Sequence, residues 1–313
     1  MSGGTSVPIN PTCLYRRLLL PLGAALLATL LPGLAGGARA AGTEPVAIVA
    51  AENMYGDVAA QIGGDAVHVT SILSNPDQDP HLFEASPSVG RALSKARIVI
   101  YSGIDYDPWM AKLLAATHGG AGAAKRVTLV VAALGGHHDG DNPHVWYDQA
   151  TMQAYARALA AALTTADPGH ADGYSRRLAA FEASMAPIAA RIAALRATCQ
   201  GDAVTATEPV YGYMFAALGL QVRNMAFQLA VMNNTEPSAR DVAAFEDDLR
   251  QHRVRLLLYN SQATDPIATR MMHIAGAAHV PVVGATETEP AGMTYQRWML
   301  DGLDRVDRAL RSR

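Results

Sequence analysis

Short apolar runs alternate with longer segments of helical spacing over most of this chain. Runs of five to seven residues, rich in β-branched side chains, predict strands that begin near positions 45, 66, 97, 126, 203, 221, 255 and 280. Amphipathic segments between them predict helices over residues 54–62, 86–96, 108–117, 149–165, 210–218, 238–252, 266–278 and 295–310. Strands that alternate with helices indicate an α/β fold built on parallel sheets.

The alternation is interrupted in the middle of the chain. Residues 170–198 are alanine-rich and amphipathic, and no glycine occurs there after Gly173. The segment predicts a helix of roughly 25 residues or more, about 40 Å long, with a kink at Pro187. We therefore predict an α/β fold with two parallel-sheet lobes joined by one long α-helix. The predicted parts are an N-terminal lobe (41–168), a connecting helix (169–200) and a C-terminal lobe (201–313).

The first forty residues have the pattern of an export signal. Two arginines at 16–17 precede an apolar stretch over residues 18–34, and Ala38 and Ala40 place small side chains at the two positions that a signal peptidase reads. We predict cleavage near Ala40 and a periplasmic protein. A membrane anchor is the alternative, but two prolines and several glycines interrupt a run shorter than the ~20 residues of a span. No cysteine directly follows the run, which argues against a lipid anchor. The sequence does not decide which export route the chain takes.

Charge and cysteine content exclude several classes of protein. Half of the residues are hydrophobic, 17% are charged, and no basic run occurs, so nucleic-acid binding is not expected. Cleavage after Ala40 would remove three of 25 basic residues and none of 28 acidic ones, leaving a net charge of −6. It would also remove Cys13, so that Cys199 could form no internal disulfide. A soluble monomer is expected.

Two Pro-His dipeptides in the predicted first lobe carry the strongest chemical signal. Asp79-Pro80-His81 and Asn142-Pro143-His144 each place an imidazole directly after a proline with a fixed φ angle. A lone histidine is more often a surface or core residue. Two in the same local setting favour a transition-metal site, for which imidazole is the commonest ligand.

Acidic residues follow two predicted strands of the second lobe. Glu208 ends the strand over residues 203–207, and Glu287 and Glu289 come just after the strand over 280–284. Ligands bind at the carboxyl ends of strands in open parallel sheets. A carboxylate at such a position can also cap a helix, and both interpretations stay open. A glycine-rich loop with His137 and His138 is either a solvated loop or a metal-collecting arm, and we place it outside the primary site.

The motifs around these residues point to a known family. Residues 79–114 (DPHLFEASPSVGRALSKARIVIYSGIDYDPWMAKLL) and 142–148 (NPHVWYD) resemble the substrate-binding proteins of zinc and manganese ABC transporters. The resemblance extends from about Pro45 to the C-terminus. It implies two lobes joined by a long helix, and it implies that His81, His144 and Glu208 are metal ligands.

The resemblance also implies a fourth, acidic ligand. Glu287 and Glu289 both fit, and Glu287 is preferred because it follows the strand most directly. Family members often have His at the position of Glu208 when they carry zinc and Glu when they carry manganese, and their fourth ligand is usually Asp. Two imidazoles and two carboxylates form a harder site than three imidazoles, although zinc binds more tightly than manganese to almost any such site. The sequence therefore predicts Zn²⁺ or Mn²⁺ without deciding between them.

The expected metal site lies in the cleft between the two lobes. The expected function is capture of a metal ion outside the cytoplasm and delivery to an ABC permease and its ATPase. No enzymatic activity is expected. An exported metallochaperone or metal-dependent adhesin is the alternative. An exported metallohydrolase is a weaker one, because no HExxH pattern occurs and the four candidate residues are all used as ligands, which leaves no open position or general base.

Overall fold

The computed structural model describes residues 44–75, 80, 83–117, 125–263 and 265–312, and these form two four-stranded parallel sheets. The first sheet has the order β2-β1-β3-β4, with β1 Val46–Glu52, β2 Val67–Leu73, β3 Ile98–Tyr101 and β4 Val127–Val130. The second sheet has the order β6-β5-β7-β8, with β5 Ala203–Ala206, β6 Gln221–Arg223, β7 Leu257–Asn260 and β8 Val282–Ala285. The predicted α/β class with two parallel sheets is confirmed.

Helices connect the strands and cover the sheets. They are α1 Asn53–Gly63, α2 Pro87–Lys95, α3 Pro108–Ala116, α4 Val131–Leu134, α5 Gln149–Ala166, α6 Ala171–Ser184, α7 Ala186–Cys199, α8 Gly212–Leu218, α9 Met225–Met232, α10 Ala239–Arg250, α11 Pro266–Ala277 and α12 Tyr295–Arg311. Several begin with chemistry that suits a helix start. Pro87, Pro108 and Pro266 occupy the first position of α2, α3 and α11, where a missing N–H has no cost. Short 3₁₀ helices precede α5 and α8 at Val145–Tyr147 and Pro209–Tyr211.

A long bent helix lies between the two sheets in the chain. Helix α6 ends at Ser184, Met185 forms the bend, and α7 continues to Cys199. Pro187 explains the bend, because its ring has no N–H for the carbonyl four residues earlier and crowds that carbonyl. At the bend, the N–H of Ile188 instead donates to the carbonyl of Met185 over a three-residue spacing, at 3.1 Å. The predicted long, kinked helix is confirmed.

The bent helix contacts helices from both halves of the chain. From Pro168 to Cys199 it is long and apolar enough to cross a membrane by length and composition. In the structure α6 packs against α1 and α5, while α7 packs against α8 and α12. Arg191 on α7 forms ion pairs with Asp304 and Asp307 on α12, each at 2.8 Å. These contacts make the bent helix a part of the fold that joins the two sheets.

One predicted element is wrong in the second half. The strand predicted over residues 221–226 ends at Arg223, because Asn224 adopts a left-handed conformation with φ 62°. A helix that the sequence analysis missed, α9, begins at Met225. The apolar run of this helix resembles the end of a strand, and only the turn at Asn224 separates the two.

The core is continuous between the two halves of the described chain. It includes buried residues of β1 and β3 as well as residues of β5, β7 and β8, with Trp146 and Trp298 among its largest fully buried side chains. The final helix α12 packs against α7 and β8. The boundaries at residues 41, 169 and 201 stay predictions. The predicted signal peptide and its cleavage site lie outside the described residues.

Candidate metal-binding site

Glu208 lies two residues beyond the end of β5 and is buried, with 3% of its surface exposed. Its backbone caps the 3₁₀ helix Pro209–Tyr211, yet within the described chain its carboxylate makes no capping hydrogen bond. Glu208 Oε2 instead accepts a hydrogen bond from Asn260 Nδ2 at 3.3 Å. A role as a helix cap therefore does not account for the carboxylate of Glu208.

Glu287 lies two residues beyond β8 and is fully buried. The loop that carries it is fixed by Gln262, whose Oε1 accepts from the N–H groups of Glu287 at 2.6 Å and Thr288 at 3.0 Å. Glu287 Oε1 accepts from Asn260 Nδ2 at 2.5 Å. The amide of Asn260 therefore lies between the carboxylates of Glu208 and Glu287 and holds them near each other.

His144 approaches these acids from the first half of the chain. It is fully buried, and its Nε2 lies 3.5 Å from Glu287 Oε2. The other ring nitrogen, Nδ1, lies 2.6 Å from Asn142 Oδ1, which also accepts from the backbone N–H of His144 at 3.1 Å. The rings of Tyr106 and Trp146 pack against the imidazole edge-on, with centroids 6.0 and 5.3 Å away. His144 is thus held in one orientation with Nε2 toward Glu287.

The second candidate acid of the loop, Glu289, is buried in different surroundings. Its backbone N–H donates to Asn53 Oδ1 at 2.9 Å, and its carbonyl accepts from Asn53 Nδ2 at 2.7 Å. Burial, followed by the negative charge of Asp57, raises the pKa of Glu289 to about 9. Glu289 therefore belongs to the surroundings of α1, and Glu287 is the acid that lies beside His144.

The two histidines of the glycine-rich loop differ from each other. His137 is half-buried, with Nε2 2.9 Å from Thr151 Oγ1 and Nδ1 3.3 Å from the hydroxyl of Tyr213. His138 is exposed. The interpretation of this segment as a wholly solvated loop does not fit His137, because its ring contacts residues from both halves of the chain. The remaining candidate, His81, lies outside the described residues.

Two further buried acids were missed by the sequence analysis. Glu52 is the last residue of β1, and burial, followed by the charges of Asp107 and Glu287, raises its pKa well above the ordinary value. Asp107 accepts from the N–H groups of Ser102 at 2.7 Å and Gly103 at 2.9 Å, but burial still raises its pKa to about 6. The strand-end rule that selected Glu208 would also have selected Glu52.

Two amide residues were also missed, Asn260 and Gln262. Asn260 is the last residue of β7, so its position at a strand end was a usable signal. Gln262 follows in the next loop, and its amide Nε2 donates to Thr288 Oγ1 at 2.9 Å. Neither residue type suggests a metal site by itself, which is why a search for histidines and acids passed over both.

The described site is rich in ligand atoms but is not a complete metal cluster. Within the ranges that the structure describes, no three His, Cys, Asp or Glu side chains are arranged to hold an ion together. What the structure brings together is His144 with Glu287, and Glu208 with Glu287 through Asn260. Imidazole nitrogen and carboxylate oxygen are ligands for divalent transition metals, and two carboxylates offset the double charge of such an ion.

Comparison with known proteins identifies a family and related structures. Residues 48–309 match the model of the family described as zinc-uptake complex component A, periplasmic (ZnuA). The manganese ABC transporter substrate-binding lipoprotein PsaA of Streptococcus pneumoniae is 23% identical over 310 residues, which cover 93% of this chain and 97% of the relative. The high-affinity zinc uptake system protein ZnuA of Paracoccus denitrificans (strain Pd 1222) is 25% identical over 236 residues, which cover 63% of this chain and 71% of that protein.

A solved structure shares the fold. The periplasmic zinc binding protein TroA from Treponema pallidum matches with a TM-score of 0.70 and 20% sequence identity, over 86% of this chain and 99% of that chain. At this identity the likeness establishes the fold alone. It agrees with the architecture described above, in which a long helix joins two parallel sheets.

Proposed function

This chain belongs to the zinc-uptake complex component A family, and on that basis we propose that it is the extracytoplasmic metal-binding component of an ABC importer. It captures Zn²⁺ or Mn²⁺ and delivers the ion to a membrane permease that is driven by its ATPase. The ion is the transported substrate, and the proposed role is to bind and release it without a chemical reaction. The family is one of solute-binding proteins, which agrees with a binding role.

The observation that carries the proposal is the pairing of His144 with Glu287, and of Glu208 with Glu287 through Asn260. His144, Glu208 and Glu287 come from both halves of the chain, and all three are buried. The atoms that would face an ion are close, because His144 Nε2 lies 3.5 Å from Glu287 Oε2 and Asn260 joins the two carboxylates. Burial of such groups is costly unless a partner compensates them. A divalent cation between an imidazole and two carboxylates would supply that compensation.

The proposed ligand set is His81, His144, Glu208 and Glu287. The Pro-His motif and the resemblance to the family support His81. The other three are supported in addition by buried side chains, and Glu208 and Glu287 each lie two residues beyond a strand. Asn260 would orient the two carboxylates through hydrogen bonds without contacting the ion itself. Groups that hold a ligand in place in this way also tune metal affinity. The four residues provide two nitrogen and two oxygen donors. That set accepts both zinc and manganese, with zinc favoured by raw affinity.

The proposed place of action is the periplasm. Residues 1–40 have the features of a cleaved signal peptide, and no cysteine directly follows the apolar stretch over residues 18–34. We infer cleavage near Ala40 and a soluble protein that docks on its permease as a monomer. Intact-mass measurement of the exported protein tests this directly, because a chain that retains residues before 34 would contradict it.

The function is tested on protein purified after export. Elemental analysis should find bound zinc or manganese, and competition titrations should rank the two metals. The double variant Glu208→Ala, Glu287→Ala should lose the bound metal, while Glu236→Ala, at an exposed position, should retain it. In cells that lack the protein, metal accumulation should fall, and the wild type should restore it while the double variant should not. A wild-type dissociation constant weaker than roughly 0.1 mM for both metals would refute the function.

A further inference from the structure

The side chain of Asn142 contacts groups from both halves of the chain. Its Oδ1 lies 2.6 Å from Nδ1 of His144 and accepts from the backbone N–H of His144 at 3.1 Å. Its Nδ2 donates to the carbonyl of Pro209 at 2.6 Å. Pro209 directly follows Glu208, so a single amide group joins the backbone next to one proposed ligand to the ring of another.

The partners of Asn142 fix which way its amide points. The carbonyl of Pro209 can only accept a hydrogen bond, so the amide nitrogen of Asn142 must face it. The backbone N–H of His144 can only donate, so Oδ1 must face that group. Because Oδ1 is an acceptor, Nδ1 of His144 must carry a proton. In the neutral ring the lone pair is then on Nε2, the atom that lies 3.5 Å from Glu287.

The segment after Glu208 approaches this amide closely. A Cβ atom on Gly212 would lie 2.6 Å from Asn142 Nδ2, so a larger residue there would displace the amide or the segment. On the adjacent residue, the hydroxyl of Tyr213 donates to the backbone carbonyl of Asn142 at 2.7 Å. The segment after Glu208 therefore contacts Asn142 at three points, through Pro209, Gly212 and Tyr213.

We propose that Asn142 is a positioning residue that couples the proposed ligands of the two halves, an inference that rests on the proposed function. It selects the tautomer of His144 that presents Nε2 to the ion, and it fixes the backbone next to Glu208. A displacement of the Glu208 segment breaks the bond to Pro209 and frees the amide to turn. The orientation of His144 is lost with it, so loosening one side of the site weakens the other.

The test compares variants at Asn142 in two measurements. Asn142→Ala removes both contacts, and it should weaken metal affinity by about 10- to 100-fold, the usual effect of losing a group that orients a histidine ligand. Histidine-ring ¹⁵N NMR of the metal-free protein reports which ring nitrogen of His144 carries a proton. The wild type should show His144 protonated on Nδ1, and Asn142→Ala should show both tautomers.

Further variants separate positioning from a general effect on stability. Asn142→Asp keeps an acceptor for Nδ1–H and should restore the wild-type tautomer. Gly212→Ala leaves Asn142 in place but crowds its Nδ2, and it should weaken binding in the same direction to a smaller degree. Asn233→Ala, at an exposed position, should change neither measurement. Circular dichroism confirms that each variant is folded. If Asn142→Ala does not fold, Asn142→Asp and Gly212→Ala take its place in both measurements.

The outcomes distinguish this inference from the proposed function. If the wild type binds metal and Asn142→Ala binds it equally well, or if His144 keeps one tautomer in that variant, the inference is overturned and the function stands. If the wild type binds neither metal, the proposed function fails and the coupling of ligands fails with it. A joint loss of affinity and of the single tautomer supports the inference.

Discussion

His144 and Glu287 face each other across the two halves of the described chain, with His144 Nε2 3.5 Å from Glu287 Oε2 and both side chains fully buried. They are 143 positions apart in the chain and belong to loops that follow different sheets. The neutral tautomer of His144 directs a lone pair toward a carboxylate, an arrangement that is unfavourable for two acceptors alone. A cation between them, or a proton on Nε2, makes it favourable.

Loss of either proposed histidine ligand should weaken metal binding. His81→Ala and His144→Ala are each expected to reduce the affinity by at least about tenfold, which corresponds to about 1.4 kcal/mol. The reason is the loss of one nitrogen donor from a site with few others. Isothermal titration with zinc and with manganese measures the effect. The matched control is His138→Ala, an exposed histidine in a neighbouring loop, and an equal loss there would contradict the assignment.

The residue at position 208 should tune metal preference. Glu208→His is expected to raise the ratio of zinc to manganese affinity, because imidazole suits zinc better than a carboxylate oxygen does. Glu208→Ala should weaken the binding of both metals. Competition titrations on folded wild type and variant give the ratio. If Glu208→His leaves the ratio unchanged while the protein stays folded, Glu208 is not a ligand.

The two acids of the loop after β8 should behave differently. Glu287→Gln is expected to lower metal affinity by at least about tenfold, because Glu287 lies beside His144. Glu289→Gln should change affinity little, since Glu289 is bonded through its backbone to Asn53. The pair is compared in the same titration. A larger loss in Glu289→Gln would reverse the preference for Glu287 as the fourth ligand.

Glu52 should make the metal-free protein less stable as pH rises. Its pKa in the folded state is raised by burial and then by Asp107, so the folded state binds more protons than the unfolded state above pH ~4.5. The free energy of unfolding therefore falls with pH from there toward the raised pKa. Glu52→Gln imitates the neutral acid and should gain stability relative to the wild type between about pH 5 and pH 8.

Urea denaturation at those two pH values measures this difference, with metal removed from both proteins. The control is Glu236→Gln at an exposed position, which should show the same pH dependence as the wild type. A constant difference between wild type and Glu52→Gln across the range would show that the carboxyl of Glu52 titrates normally in the folded state.

Local sequence patterns were sufficient for most strands and most helices. Glu208 and Glu287 became candidate ligands through the rule that parallel strands present their carboxyl ends at one edge, a rule that needs no knowledge of the tertiary structure. Helix α9 was missed because all its residues except Gln228 are apolar, and the turn at Asn224 that ends β6 depends on a left-handed conformation. Periodicity does not report such a turn.

The contacts that orient the site could not be predicted in the same way. Asn142 stands in a motif that the sequence analysis used, but its bond to Pro209 crosses 67 positions. Asn53 and Glu289 are 236 positions apart. Such pairs depend on how the two sheets meet, and no local pattern encodes that relationship. Amides at these positions also lack the distinctive chemistry that marks histidine as a possible ligand.

The pairing of Asn53 with Glu289 has a consequence for measuring motion. The side chain of Asn53 both accepts from the N–H of Glu289 and donates to its carbonyl. It therefore makes with Glu289 the pair of backbone hydrogen bonds that a neighbouring strand would make. The N–H of Glu289 can exchange with deuterium only when this bond opens. Its exchange rate should therefore report how often helix α1 separates from the loop that carries Glu287, with no probe attached to the protein.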